Sequence, residues 1–269
     1  QGRCEMLPDT IATGAFLPAR LKAELDFAGD IARGAKGVRA RRVQEHLSLA
    51  GFGLGIDADF GPATQTQVRK FQTARGLPST GVVDMATWTA LVSPMIAAIA
   101  PIASAGRTLS QMVEAFARQH VAVHPREAGG DNHGPWVRAY LGWDGAGARW
   151  CAGFTCFALE QAAHALGIKA PIASSASCDT LADRAKAAGR FVSGRAVKAG
   201  TWPKADIAPG SFFLVRASPT DWVHVGIVKT AGPESFSTLE GNTNDEGSSN
   251  GYEAVHRQRR YGAIDFIVW

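Results

Sequence analysis

Cys151 stands where a glycine-rich, aromatic stretch, Gly142-Trp-Asp-Gly-Ala-Gly-Ala-Arg-Trp150, gives way to a long apolar run, Cys151-Ala-Gly-Phe-Thr-Cys-Phe-Ala-Leu159. A loop that turns into a helix at this point places the thiol at a helix N-terminus. Unpaired amides and the helix dipole favour a thiolate and a developing oxyanion there. Nucleophilic catalysis by cysteine also needs a base to form the thiolate and a polar group to orient that base. Cys156 comes five residues later and points about 140° away around an ideal helix, so it reads as a small buried hydrophobe. Cys4 and Cys178 complete a set of four cysteines with no CxxC pair and no zinc-ligand spacing. No metal or cofactor is expected. The spacing leaves open whether Cys4, Cys156 and Cys178 form disulfides.

Seven histidines compete for the role of base. His164 shares a helix with Cys151 but lies thirteen residues on and on another face. His256 sits among Arg257, Arg259 and Arg260 and reads as basic surface. His46, His120 and His124 fall on or near helices outside any aromatic cleft. His133, in Asp131-Asn-His-Gly-Pro135, stays open as a loop candidate. His224 is different, because it interrupts the apolar strand Trp222-Val-His-Val-Gly-Ile-Val228, with Gly226 leaving room beside it. Downstream, Thr238-Leu-Glu-Gly-Asn242 sets Glu240 and Asn242 two apart. On an extended strand both side chains then point the same way. A carboxylate and an amide emerging together can fix an imidazole tautomer. The candidate catalytic set is therefore Cys151, His224, Glu240 and Asn242. Trp150, Trp222 and Trp143 are candidate substrate-binding walls, each equally suited to a core.

The chain that must position them has 269 residues, 46% hydrophobic, 19% charged and 9% aromatic. That apolar mass suits one large domain or two smaller ones and argues against bulk disorder. A formal charge of +4 favours an anionic partner without choosing one. The longest apolar run, residues 95–104, is broken by Pro101 and falls short of the roughly 20 residues of a membrane helix, so no membrane insertion is expected. A chain that starts at Gln1 is compatible with a removed signal peptide. Basic residues are dispersed and no nucleic-acid reader motif is present.

Periodicity divides the chain into four segments. Residues 1–33 form an N-terminal helical extension, with one amphipathic helix over about 18–28 carrying Leu21, Leu25 and Ala28 on one face. Residues 34–93 read as a compact three-helix domain. Ala40, Val43, Leu47 and Ala50 mark its first helix, Val68 and Phe71 its second, and a short helix over 85–91 buries Trp88 and Leu91. Residues 94–107 read as a linker. Residues 108–269 open with helices over 109–121 and 151–166, then turn to strands at 211–215, 223–228, 235–239 and 263–268. Helices followed by consecutive strands give an α+β domain with a mostly antiparallel sheet.

Two resemblances are carried by these residues. Val43-Gln44, Leu47, Gly51-Phe52, Asp57-Ala-Asp-Phe-Gly61, Thr64, Val68, Phe71-Gln72, Gly76-Leu77, Gly81-Val-Val-Asp84 and Thr87-Trp88 with Leu91 resemble the three-helix peptidoglycan-binding domain. That resemblance implies glycan or stem-peptide binding, with bacterial peptidoglycan as partner. Trp150-Cys-Ala, Pro209-Gly-Ser-Phe-Phe213, Val223-His-Val-Gly226 and Glu240-Gly-Asn242 occur in the order of the CHAP family, papain-like amidases and endopeptidases of the NlpC type. Glu127, Asn132, Gly134-Pro135, Val137 and Tyr140 resemble the stretch before its nucleophile. The resemblance implies a papain-like fold, a nucleophile at Cys151, a base at His224, and orienting or oxyanion-side roles for Glu240 and Asn242. Ser211, where Asp is usual, and the long segment 167–209 depart from the pattern. Together the two imply a monomeric cysteine-dependent peptidoglycan hydrolase, acting as an endolysin, autolysin or secreted toxin. It would work outside the cytoplasm, or be released from it if phage-encoded. A non-catalytic wall-binding protein and a cysteine protease or transferase acting on proteins remain the alternatives.

Overall fold

The computed structural model describes residues 6–244 and 250–269. Cys4 lies outside the described residues. Along the chain run helices α1 (Ala19–Leu25), α2 (Val38–Leu49), α3 (Pro62–Ala74), α4 (Met85–Ala98), α5 (Leu109–Ala122), α6 (Pro135–Leu141), α7 (Cys151–Leu166), α8 (Cys178–Ala187) and α9 (Gly194–Ala199). The strands are β1 (Phe191–Val192), β2 (Phe212–Ser218), β3 (Asp221–Ala231), β4 (Ser235–Thr243), β5 (Glu253–Arg260) and β6 (Ile264–Ile267). The fold is a mixed α+β one, with helices first and an antiparallel sheet after them. Two compact units emerge: residues 1–100 with 126–146, and residues 101–125 with 147–269.

The first unit is helical. Its core holds Val43, Leu47, Phe60, Val68, Phe71, Trp88 and Leu91, all within 3% exposure. Two buried glutamines clamp its turns. Gln44 Nε2 donates to Asp57 Oδ1, the Asp59 carbonyl and Thr64 Oγ1, while Gln44 Oε1 accepts from the Asp57 and Ala58 amides. Gln72 repeats the device one helix later, donating to the Val82 carbonyl and Thr87 Oγ1 and accepting from the Gly81 amide. Each amide group satisfies a turn that would otherwise leave buried polar backbone unpaired.

Helix α4 runs on past residue 91, through Pro94 to Ala98, into the stretch read from sequence as linker. Proline removes the donor for the Ala90 carbonyl, and the Ser93 hydroxyl supplies one at 2.9 Å. Residues 126–146 join this unit through Arg138 on α6. Its guanidinium donates to Glu24 at 2.8 and 2.9 Å, to Glu45 at 2.6 and 3.1 Å, and to Asp144 at 2.5 Å.

The second unit is a six-stranded antiparallel sheet in the order β1-β6-β2-β3-β4-β5. A capping box of Thr108 and Gln111 starts α5. Helices α5 and α7 pack together, α7 packs against β3 and β4, and α8 packs against β3. Phe213, Val228, Phe236, Phe266 and Ile264 build a core joined by Val197 and Ile207. Strand β3 carries an irregularity: Val215 of β2 faces His224, but the next residue, Arg216, faces Trp222. Val223 is the extra residue, and such a bulge re-aims the side chains beside it.

Candidate active site

Cys151 is the first residue of α7, and Trp150 before it provides no side-chain cap. The first amides of the helix, that of Cys151 among them, are thus not taken by a capping side chain. The thiol is 3% exposed. Beside it lies Cys178, the first residue of α8, whose N-terminus is capped by Ser177. Cys178 hydrogen-bonds to Cys151, and this is the main influence that brings the Cys151 thiol well below the ordinary cysteine range. Burial opposes the thiolate, and the His224 ring and the Val225 backbone favour it. The same contact, reinforced by burial, pushes the Cys178 thiol up. The opposite directions favour Cys151 as the thiolate and Cys178 as the hydrogen-bond donor. No disulfide joins Cys151, Cys156 or Cys178. Cys156 points its sulfur to the Ser175 carbonyl, in keeping with its turn away from Cys151 along the helix.

His224 is 1% exposed, and its Nε2 bonds Glu240 Oε2 at 2.8 Å. Nδ1, buried and outside ordinary hydrogen-bond geometry, is the nitrogen left for the thiol. Burial alone would drive the imidazole neutral. Hydrogen bonding and charge from Cys151 and Glu240 outweigh it, and His224 is pushed up to about 9. Both shifts run in the direction that favours a thiolate at Cys151 beside an imidazolium at His224.

Glu240 is wholly buried, a location that by itself raises a carboxyl pKa. Arg259 and His224 reverse this and bring it down to about 2. Arg259 donates from Nε to Oε1 at 2.6 Å and from Nη2 to Oε2 at 2.5 Å, and the Thr238 hydroxyl adds a bond to Oε1 at 2.5 Å. Gly226 makes the approach possible. A Cβ there would come within 2.8 Å of the Phe213 ring and 3.0 Å of Glu240.

The structure thus brings Cys151, His224 and Glu240 together and settles which side chain pairs with the imidazole. Asn242 takes another position. Its backbone is left-handed (φ 56°), and its Oδ1 accepts the Trp150 amide at 3.2 Å, tying β4 to the residue before the nucleophile. The tryptophans divide. Trp150 is wholly buried; a Cβ on Gly241 would lie 2.8 Å from its ring, so it packs the helix against β4 instead of lining a cleft. Trp222 is 5% exposed and its indole donates to Asp265 Oδ2 at 2.9 Å, with one ring face on a surface cavity. Trp143 is exposed and belongs to the first unit. His133 also lies in the first unit, its Nδ1 bonded to the Asp131 carbonyl at 2.7 Å. Three contributors escaped the sequence reading: Cys178, Thr238 and Arg259. Arg259 carried one signal, its alternation with Arg257 along a run that could have been read as a strand.

Comparison with known proteins bears on the first unit. Residues 36–91 match the family described as "Putative peptidoglycan binding domain". An uncharacterized protein in the bpoA1 3′ region of Kitasatospora aureofaciens is 43% identical over 54 residues, covering 20% of this chain and 46% of that protein. A zinc D-Ala-D-Ala carboxypeptidase of Streptomyces albus G is 36% identical over 67 residues, covering 23% of this chain and 26% of that protein. The chain thus spans under half of the first relative and about a quarter of the second. A zinc centre needs at least three converging ligands. Among the described residues no group of three His, Cys, Asp or Glu side chains could hold one. The matched stretch lies wholly within the first unit and is similar to a peptidoglycan-binding domain.

Proposed function

We propose that the chain is a peptidoglycan hydrolase of the CHAP type, in which Cys151 cleaves an amide bond of the bacterial wall. The observation that carries this reading is the buried relay Cys151–His224–Glu240, whose charges favour one another. The thiolate adds to the amide carbonyl, and the Cys151 amide at the head of α7 receives the oxyanion. His224 gives its Nδ1 proton to the leaving amine as the C–N bond breaks, forming a thioester. Water, deprotonated by His224, then releases the acid and restores the thiolate. Glu240 accepts the other imidazole N–H throughout and steadies the positive ring. The 36–91 module holds the enzyme at its insoluble substrate, raising local concentration without taking part in chemistry. No cofactor enters these steps. The chain acts as a monomer outside the cytoplasm, or after release from it.

The test is digestion of purified sacculi, with mass spectrometry of the released muropeptides. Cys151→Ser should abolish release while Cys156→Ser keeps most of it. New amine termini would identify the bond, either the sugar-to-peptide amide or a peptide bond. Release by the Cys151 variant at the wild-type rate would sink the reading and leave a wall-binding protein.

A further inference from the structure

The second unit holds a basic cavity of about 310 Å³, lined by Lys186, Phe191, Arg195, Arg216, Trp222 and Asp265. Its single carboxylate is already saturated. Asp265 is 1% exposed and accepts two bonds from Arg216 Nη1 at 2.9 and 3.1 Å, one from the Trp222 indole at 2.9 Å, and one from the Gly194 amide at 2.7 Å. The remaining cations are not matched in this way. The Lys186 ammonium stands 4.4 Å from the Trp222 ring centre and 5.3 Å from that of Phe191. Its other partner is Asp183 at 3.0 Å, an exposed pair three residues away on the same helix, and such pairs contribute little. Arg195 makes no hydrogen bond or ion pair among the described residues. The cavity therefore offers two cations, Lys186 over the Trp222 and Phe191 rings and Arg195 in the same lining, a fit for a singly charged anion on an apolar stem.

Its position relates it to the nucleophile. Helix α8 begins with Cys178 at the Cys151 thiol and carries Lys186 eight residues later, about 12 Å along a helix axis. Asp179, beside Cys178, accepts the Trp222 amide at 2.7 Å, which fixes the start of α8 to β3. Trp222 precedes His224 by two residues on β3, with the bulged Val223 between them. An extended peptide advances roughly 3.3–3.6 Å per residue. A side chain or terminus two to four residues from the bond at Cys151 would reach the cavity.

We infer that this cavity binds a carboxylate of the wall peptide, a few residues from the amide that Cys151 cleaves, with Arg195 and Lys186 as its ligands. The inference rests on the hydrolase reading above and deepens it. It makes the enzyme selective for acidic over amidated wall peptides.

Two arms test it with the full chain. In the first, calorimetry follows binding of soluble muropeptides to the Cys151→Ser variant, using the native acidic form and one whose carboxylates are converted to carboxamides. Amidation should weaken binding at least tenfold. A further Lys186→Gln/Arg195→Gln change should erase that preference, whereas Arg195→Lys, which keeps the charge, should retain it. Both positions are exposed, and a melting curve checks that the variants fold. Equal affinity for the two peptide forms would overturn the inference, as would a preference that survives the double change. Equally tight binding of a phosphate-bearing glycopolymer without peptide would overturn it too. In the second arm, wild-type enzyme should cleave the acidic form with lower KM and similar kcat. Preferential binding with no cleavage of either form would refute the hydrolase reading while leaving the cavity's ligand identified.

Discussion

At the scale of single residues, the arrangement makes sharp statements about pH. The lowered Cys151 thiol and the His224 imidazole raised to about 9 favour a thiolate–imidazolium pair over a wide range, so activity should hold a plateau that falls above pH 9. Glu240→Gln keeps the shape but removes the charge that supports the imidazolium. Cys151 should then titrate higher and His224 lower, narrowing the plateau from both sides, with a rate loss on the order of 10². Asn242→Ala should lower the rate without moving either limb, because Asn242 holds the Trp150 amide and not the imidazole. A pH–rate profile of each variant decides this; a shifted limb in Asn242→Ala alone would reverse the two roles. Stability carries the same signs. His224, raised from 6.5, adds stability that is fully present below about pH 6.5 and lost as pH climbs through 9. Glu240, lowered from 4.5, adds stability above about pH 4.5 that is lost as pH falls through 2.

Elements decide how those residues meet, and they differ in how openly the sequence declares them. Helix α7 was legible because an apolar run followed a glycine-rich loop, and the observed bounds agree with the expected 151–166. Strand β3 was legible from its β-branched residues, whereas the room at Gly226 is taken by the Phe213 ring and Glu240. Strand β5 was not, because Glu253-Ala-Val-His-Arg-Gln-Arg-Arg260 offers polar side chains where a half-buried strand normally shows hydrophobic ones. That concealed Arg259, whose neighbour Glu240 is distant in sequence and adjacent only through the pairing of β4 with β5. Helix α8 was hidden for a related reason: Leu181, Ala182 and Ala185 give a thin buried stripe inside what read as a long loop. Cys178 went with it. The β2–β3–β4 contact yields a test. Gly226→Ala should push Phe213 and Glu240 apart from the new methyl, costing about 1–3 kcal/mol of stability. It should cost at least tenfold in hydrolysis rate by loosening Glu240 from His224. Unchanged melting and sacculus digestion would show that β3 can yield there at no cost.

The whole molecule is divided in space but not in simple sequence order. Residues 126–146, read from sequence as the lead-in to the nucleophile, group with the N-terminal helices through Arg138. The four segments seen in the sequence reflect local periodicity, which says nothing about an arginine that finds Glu24 more than a hundred residues away. Arg138→Met should leave Glu24 and Glu45 buried with Arg42 at 3.1 Å and Arg41 at 3.4 Å as their remaining cations, and lower stability toward the bottom of the range of about 3–5 kcal/mol for a broken buried pair. A clear fall in the melting temperature of the full chain is the expected result, and an unchanged one would show that the carboxylates find water or other cations. The chain passes between the two units three times, at residues 100/101, 125/126 and 146/147. A module joined by one crossing can be lost to a single nick or exchanged by end-to-end gene fusion. Here one protease cut at a crossing leaves two pieces of which at least one carries parts of both units, so the pieces are then held together by packing alone, and recombination at one breakpoint would carry off an incomplete unit. Neither unit is written as one uninterrupted stretch of sequence, so neither can be moved or removed whole at a single breakpoint.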